Sequence, residues 1–122
     1  MSINSYKELI VWQKSFELAK KIYLNTNKFP KSESYGLVTQ MRRCAVSIPS
    51  NIAEGSTRGY KQEYIQFLRT AFASGAELET QLLLSKELEF IHLENFNELS
   101  NLLTEIMKML NRLISKLIIT KL

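Results

Sequence analysis

The sequence predicts an all-α protein, an antiparallel up-down-up-down four-helix bundle. Four stretches of the chain repeat apolar residues at steps of three and four, the spacing of one helical face. Only four Gly and two Pro occur in 122 residues, too few for a turn-rich all-β fold. The connections between the stretches are short, which favours side-by-side packing of successive helices. We therefore expect a single domain over residues 1–122.

The first helix is predicted over residues 8–27. Its buried face is predicted from positions spaced four, three and four apart: Trp12, Phe16, Ala19 and Tyr23. Phe29 should leave the helical conformation because the next residue, Pro30, disfavours it. Ser32 or Ser34 is then expected to cap the second helix.

The second helix is predicted over residues 34–54, with Gly55 as the residue that ends it. Its apolar stripe comprises Leu37, Met41, Cys44, Ile48 and Ile52. Pro49 lies inside this stripe, and a proline in a helix interior costs about 3 kcal/mol. Because the apolar spacing continues past it, we expect the helix to continue with a bend near Pro49.

The third and fourth helices have the most regular spacing and are predicted over residues 60–88 and from residue 93 onward. The stripe of the third comprises Tyr64, Leu68, Ala71, Gly75, Leu78 and Leu82. The stripe of the fourth comprises Phe96, Leu99, Leu103, Ile106, Leu110, Leu113 and Leu117. The boundary between these helices contains neither Gly nor Pro, so its position is the least defined.

Both of these helices carry more apolar residues than one core-facing stripe needs. A second strip lies about a quarter turn from the first on the third helix, and the apolar side of the fourth is broad. The residues predicted from this surplus to form an oligomer interface are Ile65, Phe72, Leu83, Ile114 and Ile118. The alternative is a wider core in a monomer with some exposed apolar residues.

Positive charge is concentrated in the first half of the chain. Residues 1–59 hold nine Lys/Arg and four Glu, whereas residues 60–122 hold seven and eight. On the first helix Lys14, Lys21 and Lys28 are seven residues apart and therefore share one side. This stripe is either an ordinary solvated surface or a surface that contacts nucleic-acid phosphates with little sequence preference.

A polar ribbon is predicted along the second helix at helical spacing: Gln40, Arg43, Ser47, Asn51 and Glu54. Glu79 falls beside the core stripe of the third helix, where a carboxylate needs a cationic partner. We expect Arg43 to be that partner, so that Arg43, Asn51, Glu54 and Glu79 form a structural polar network. The alternative is that the ribbon is only a solvated face.

The sequence offers little for catalysis or for cofactors. His92 is the only histidine and there is no Asp, which excludes a Ser-His-Asp triad and leaves a histidine metal site unsupported. Cys44 fits a small core residue better than a nucleophile. The start of the chain lacks the layout of a signal peptide, and no apolar run is long enough to span a bilayer. We expect a cytoplasmic protein that is not an enzyme and uses no cofactor, metal or membrane.

Two segments, "SIPSNIAEG" at residues 47–55 and "ELETQL" at residues 77–82, carry a resemblance that extends along most of the chain. The sequence resembles the four helix bundle proteins known as 23S rRNA-intervening sequence proteins, a bacterial family. The resemblance implies an antiparallel four-helix bundle that assembles as a homopentamer, with the surplus apolar faces as subunit contacts.

The sequence is also similar to a related bundle, the accessory variability determinant of diversity-generating retroelements, which engages nucleic acid and a reverse transcriptase. This similarity implies RNA or DNA as a partner. The residues it suggests as contacts are Lys14, Lys21, Lys28, Arg42, Arg43 and Arg58. The alternative is an adapter that docks a partner enzyme, such as a reverse transcriptase, and binds no nucleic acid itself.

Overall fold

The structure, a computed structural model, describes residues 5–120 of the chain. This part contains four α-helices, two single-turn 3-10 helices at Tyr6–Glu8 and Lys31–Glu33, and no strand. The α-helices are α1 Ile10–Thr26, α2 Leu37–Thr57, α3 Lys61–Glu87 and α4 Leu93–Ile119. The prediction of an all-α fold built from four helices is confirmed.

Each helix packs against two neighbours, α2 lying between α1 and α3, and α4 lying between α3 and α1. Contacts between α2 and α3 join Met41 with Ser85, Ser47 with Ser74 and Gly55 with Phe67. Residue numbers therefore rise along α2 as they fall along α3, and these two helices run in opposite directions. Ion pairs of Lys14 with Glu105 and of Lys21 with Glu98 give the same result for α1 and α4.

The core is formed by aliphatic side chains from all four helices. On α2, α3 and α4 it uses the predicted stripes, among them the fully buried Met41, Leu78 and Leu103. On α1 the predicted face is wrong except at Ala19, which is buried as predicted. The buried residues are Val11, Ser15, Leu18, Ala19, Ile22 and Thr26, whereas Phe16 and Tyr23 are exposed and Trp12 is half-buried. Apart from Ala19, which belongs to both sets, the predicted positions follow the buried ones by one residue and therefore lie about 100° around the helix from them.

The ends of α2 also differ from the prediction. The helix begins at Leu37 after Gly36, and neither Ser32 nor Ser34 caps it with a side chain. It continues through Pro49 to Thr57, so Gly55 lies inside the helix and does not end it. A Cβ atom at Gly55 would come within 2.7 Å of the Phe67 Cβ atom. The glycine therefore permits close packing of α2 on α3.

The turn between α3 and α4 closes without glycine. Glu89 adopts a left-handed conformation with φ of 61°, a position at which glycine is most common. The Phe90 amide donates to the Ser85 carbonyl at 2.9 Å, and the Glu89 amide donates to the Lys86 carbonyl at 3.0 Å. This pair of hydrogen bonds is a Schellman motif, which ends α3 although the sequence shows no Gly or Pro there.

We predict that Gly55→Ala lowers the free energy of unfolding by about 1–3 kcal/mol, because the added methyl group overpacks the α2–α3 contact. Gly75→Ala is the matched control, since its nearest contacts at 3.1–3.3 Å are atoms of the flexible Met107 side chain. Urea unfolding followed by circular dichroism measures both. Equal stability of the two variants would contradict the packing role of Gly55.

Candidate interaction surface

The aromatic residues that α1 does not bury line a groove between α1 and α2, which we call the α1–α2 groove. Its volume is about 580 Å³. Its lining residues are Tyr6, Trp12, Phe16, Ala19, Lys20, Tyr23, Leu24, Val46, Pro49, Ser50 and Ala53. Lys20 is the only charged residue among them, so the surface is largely apolar.

The aromatic side chains of the groove pack against one another. The Trp12 and Phe16 rings stack with centroids 5.1 Å apart, and Tyr6 meets Trp12 edge-on at 5.4 Å. Phe16 nevertheless remains 49% exposed and Leu24 62% exposed. These contacts hold the rings in place but leave a contiguous apolar surface facing solvent, a feature of interaction sites.

Pro49 contributes the side of the groove formed by α2. Its ring is apolar and it has no backbone N–H, so it cannot donate to the Ala45 carbonyl as other helical residues would. The helix is continuous through it. The expected bend remains a prediction.

The groove continues at one end into a cationic depression of about 540 Å³, which shares Tyr23 and Val46 with it. The new residues there are Thr39, Arg42, Arg43 and Ser47, with no carboxylate among the lining residues. Arg43 is exposed. The apolar groove is therefore bordered at this end by positive charge.

Arg42 is held by contacts within the chain. Its guanidinium group donates to Thr26 Oγ1 at 3.0 Å and to Asn27 Oδ1 at 2.9 Å, and it lies 4.6 Å from the centroid of the Tyr23 ring. These groups belong to the last turn of α1 and the residue after it. Arg42 on α2 therefore stabilises the packing of the end of α1 against α2.

Three other cations that the sequence suggested for nucleic-acid binding also have partners within the chain. Lys14 pairs with Glu105 at 3.2 Å and Lys21 with Glu98 at 3.1 Å, both on α4. Arg58 pairs with Glu54 at 2.9 Å and lies over the Phe67 ring. The lysine stripe of α1 therefore borders α4. Of the six candidates, Lys28 and Arg43 are exposed and form no ion pair within the described residues.

The expected ion pair between Arg43 and Glu79 is not formed. Both residues are exposed, and the ion pairs of residues 5–120 do not include this one. The expected position of Glu79 beside the core was wrong because its side chain faces solvent.

Other parts of the expected polar network do form contacts. Asn51 donates to the Ser47 carbonyl at 2.8 Å and to its hydroxyl at 2.9 Å. The Ser47 hydroxyl lies 2.9 Å from that of Ser74 on α3. Glu54 pairs with Arg58 on its own helix. A polar seam therefore joins α2 to α3 through serine hydroxyls rather than through charges.

The residues predicted to form an oligomer interface lie on α3 and α4. Leu83 and Ile118 are exposed, whereas Ile65 and Phe72 are half-buried against the core. Ile114 is only 7% exposed and packs inside its own bundle, because the buried side of α4 shifts from Leu113 to Ile114 near its end.

The single cysteine lies in the core. Burial raises the pKa of the Cys44 thiol, the nearby Glu77 carboxylate acts in the same direction, and a hydrogen bond with Gln81 opposes them. The raised pKa keeps the thiol protonated at neutral pH, which disfavours nucleophilic chemistry. Within residues 5–120, no group of three His, Cys, Asp or Glu residues is placed to hold a metal ion. The helices of this part are also too short or too polar to cross a membrane.

Comparison with known proteins gives a family for this architecture. The family model described as 23S rRNA-intervening sequence protein matches residues 7–112. A crystal structure of a protein with unknown function from the S23 ribosomal protein family, from Bacteroides thetaiotaomicron, is similar to the chain with a TM-score of 0.81 and 29% sequence identity. The similarity covers 89% of this chain and 98% of that one. No curated protein matches.

We predict that Arg42→Lys lowers the free energy of unfolding by about 1–2 kcal/mol, because lysine keeps the charge but loses the planar fork that binds two acceptors. Arg43→Lys is the control and should change it by less than about 0.5 kcal/mol, as an exposed residue. Urea unfolding measures both variants. If Arg43→Lys were the more destabilising change, the structural role of Arg42 would be refuted.

Proposed function

The chain belongs to the 23S rRNA-intervening sequence protein family, and we propose that it is a non-enzymatic interaction protein that acts as a homo-oligomer. The expected count of five subunits comes from the family resemblance. The observation that carries the proposal is the exposed α1–α2 groove.

The groove is more apolar than an ordinary solvent-exposed surface. Trp12, Phe16, Tyr23 and Val46 lie together along it, and the ring of the buried Pro49 lines its α2 side. Isolated apolar residues are common on protein surfaces, whereas a contiguous group of aromatic side chains marks a contact site. This supports a surface that another protein surface covers.

The energies favour an apolar counter-surface. Complete burial of one large apolar side chain contributes about 1.5–3 kcal/mol, so covering the exposed halves of four contributes roughly 3–6 kcal/mol. Association costs about 4–15 kcal/mol in lost translational and rotational freedom. Over most of this range the groove alone does not offset the cost, so apolar surface contributed by the other molecule favours association. A nucleic-acid backbone does not offer such surface, whereas a folded protein does.

We predict that the purified protein sediments as a multiple of its 14.1 kDa chain and that Phe16→Glu shifts it to the monomer. The variant replaces an aromatic ring of the groove with a carboxylate beside Lys20, and removing charged groups from water costs free energy even when they are paired, which disfavours assembly. Asn101→Glu adds the same charge to exposed α4 surface without removing an apolar side chain, and it should leave the assembly intact. Analytical ultracentrifugation over a range of concentrations measures all three proteins. A wild-type monomer at every concentration would refute the proposal.

Trp12 gives a second readout because it is the only tryptophan in the chain and lines the groove. In the assembled protein its fluorescence should resist quenching by acrylamide, and Phe16→Glu should increase that quenching. The Asn101→Glu protein should behave as the wild type does.

Nucleic-acid binding is the second candidate function, and one observation favours it. Lys28, Lys31 and Arg43 are exposed around the α1–α2 connection and form no ion pair within the described residues. Cations without protein partners are available to displace counterions from phosphates. RNA is the first ligand to examine because the family is described by its relation to 23S rRNA.

We predict that Lys28→Gln/Lys31→Gln weakens RNA binding and makes the salt dependence shallower by about one unit of log–log slope for each lysine lost. Lys14→Gln/Lys21→Gln removes the same charge from lysines already paired with glutamates and should have the smaller effect. Mobility-shift assays at low and moderate salt measure both. Absence of a wild-type shift at low salt would reject RNA binding.

A further inference from the structure

Tyr35, in the connection between α1 and α2, is 99% exposed, the highest value among the large apolar and aromatic side chains of residues 5–120. It does not belong to the core or line the α1–α2 groove. Within the described residues its ring also forms no aromatic pair. Nearly the whole surface of the ring is therefore open to a ligand.

The turn that carries Tyr35 is held by hydrogen bonds on both sides of it. The Thr39 hydroxyl, on the first turn of α2, donates to the Ser34 carbonyl at 2.6 Å. The Gly36 amide donates to the Glu33 carbonyl at 3.1 Å. Thr39 also lines the cationic depression. The exposed ring therefore projects from a hydrogen-bonded turn at the edge of that depression.

Positive charge predominates around this turn. Lys28, Lys31 and Arg43 are exposed and form no ion pair within the described residues. Arg42 uses its Nε and Nη2 atoms for contacts with α1 and the residue after it, and its Nη1 group donates no hydrogen bond within residues 5–120. Glu33 is the only carboxylate among residues 27–36, and it is half-buried. An open aromatic ring thus stands beside cations that are available to a phosphate.

The connection between α2 and α3 also exposes a tyrosine but lacks available cations beside it. Tyr60 is 69% exposed. The neighbouring Arg58 pairs with Glu54 at 2.9 Å and with Glu63 at 3.5 Å. Lys61 donates to the carbonyl group that follows α4. The combination of an open ring and available cations therefore distinguishes the α1–α2 connection, and Tyr60 serves as a matched control.

We propose that Tyr35 stacks on an unpaired base of single-stranded RNA whose phosphates lie against Lys31 and the arginines of the cationic depression. A base in a duplex is stacked between its neighbours, whereas a single strand presents base faces to aromatic side chains. Every base has such a face, so the contact selects single strands with little sequence preference. A carboxylate-rich peptide would satisfy the cations but leave the open ring without a partner. This inference rests on the proposed RNA binding and specifies the kind of strand and the residue that recognises it.

Fluorescence anisotropy at low salt, with a labelled single-stranded RNA of about twelve nucleotides, tests the proposal. Tyr35→Ala should raise the dissociation constant about tenfold, within the range that stacking of one base contributes. Tyr35→Phe keeps the ring and should bind as tightly as the wild type. Tyr60→Ala removes an exposed tyrosine beside engaged cations and should also bind as the wild type does. Circular dichroism establishes that each variant remains helical.

Three further ligands separate stacking from charge. An abasic strand of the same length keeps the phosphates without the bases, an RNA duplex hides the base faces, and polyglutamate offers negative charge alone. Tyr35→Ala should bind each of them as the wild type does. It should also leave the salt dependence of single-strand binding unchanged, whereas Lys28→Gln/Lys31→Gln makes that dependence shallower.

The outcomes separate this inference from the proposed RNA binding. If the wild type binds the single strand and Tyr35→Ala binds it equally well, the stacking role is overturned and RNA binding stands. An equal loss of affinity for the abasic strand or the duplex overturns it too, because the ring then recognises no base. An equal loss with polyglutamate overturns it in favour of an acidic protein partner. If the wild type binds no RNA at low salt, this inference and RNA binding fail together.

Discussion

The structure depends on which side of α1 faces the core. Val11, Leu18 and Ile22 are buried there, while Trp12 and Phe16 follow one residue out of step, about 100° around the helix. A core-facing stripe is only a little over 100° wide, so one helix cannot bury both sets completely. The bundle buries the aliphatic set, which interdigitates closely with the aliphatic stripes of its neighbours. The larger aromatic side chains remain outside the core, beside α2, and the groove forms because they are not buried.

The same rotation decides the electrostatics of the molecule. With the aliphatic set inward, the aromatic side chains border α2 and the lysines on the opposite flank border α4. Lys14 and Lys21 therefore meet Glu105 and Glu98, and their charge is largely compensated within the chain. Cations remain available mainly where α1 gives way to α2. The net positive charge of the first half of the sequence is thus concentrated on one end of the bundle rather than spread along a helix.

The number, order and approximate ends of the helices could be predicted because the apolar spacing of α2, α3 and α4 admits one core face each. The face of α1 could not, because two stripes share the same spacing and only packing against α2 and α4 selects one. Gly55 was wrongly predicted to end α2 for a different reason. Glycine is common both at helix ends and where two helices pack closely, and the sequence alone does not distinguish these two roles. The turn at Glu89 could not be predicted because it contains no glycine. Hydrogen bonds around it stabilise a left-handed conformation that residues other than glycine seldom adopt.

Departures from local rules are not spread evenly over this bundle. A proline occupies a helix interior, aromatic rings face solvent, and both lie along the same groove, beside which arginines stand without carboxylates. The α2–α3 contact, by comparison, follows the ordinary rules with small residues, buried leucines and paired hydroxyls. Local departures persist where something outside the isolated chain compensates for them. The left-handed Glu89 of the α3–α4 turn is compensated by hydrogen bonds within the chain. The proline and the exposed aromatic rings share one face, so a single covering surface can compensate for both, and this is why we assign the groove to assembly rather than to the stability of the monomer.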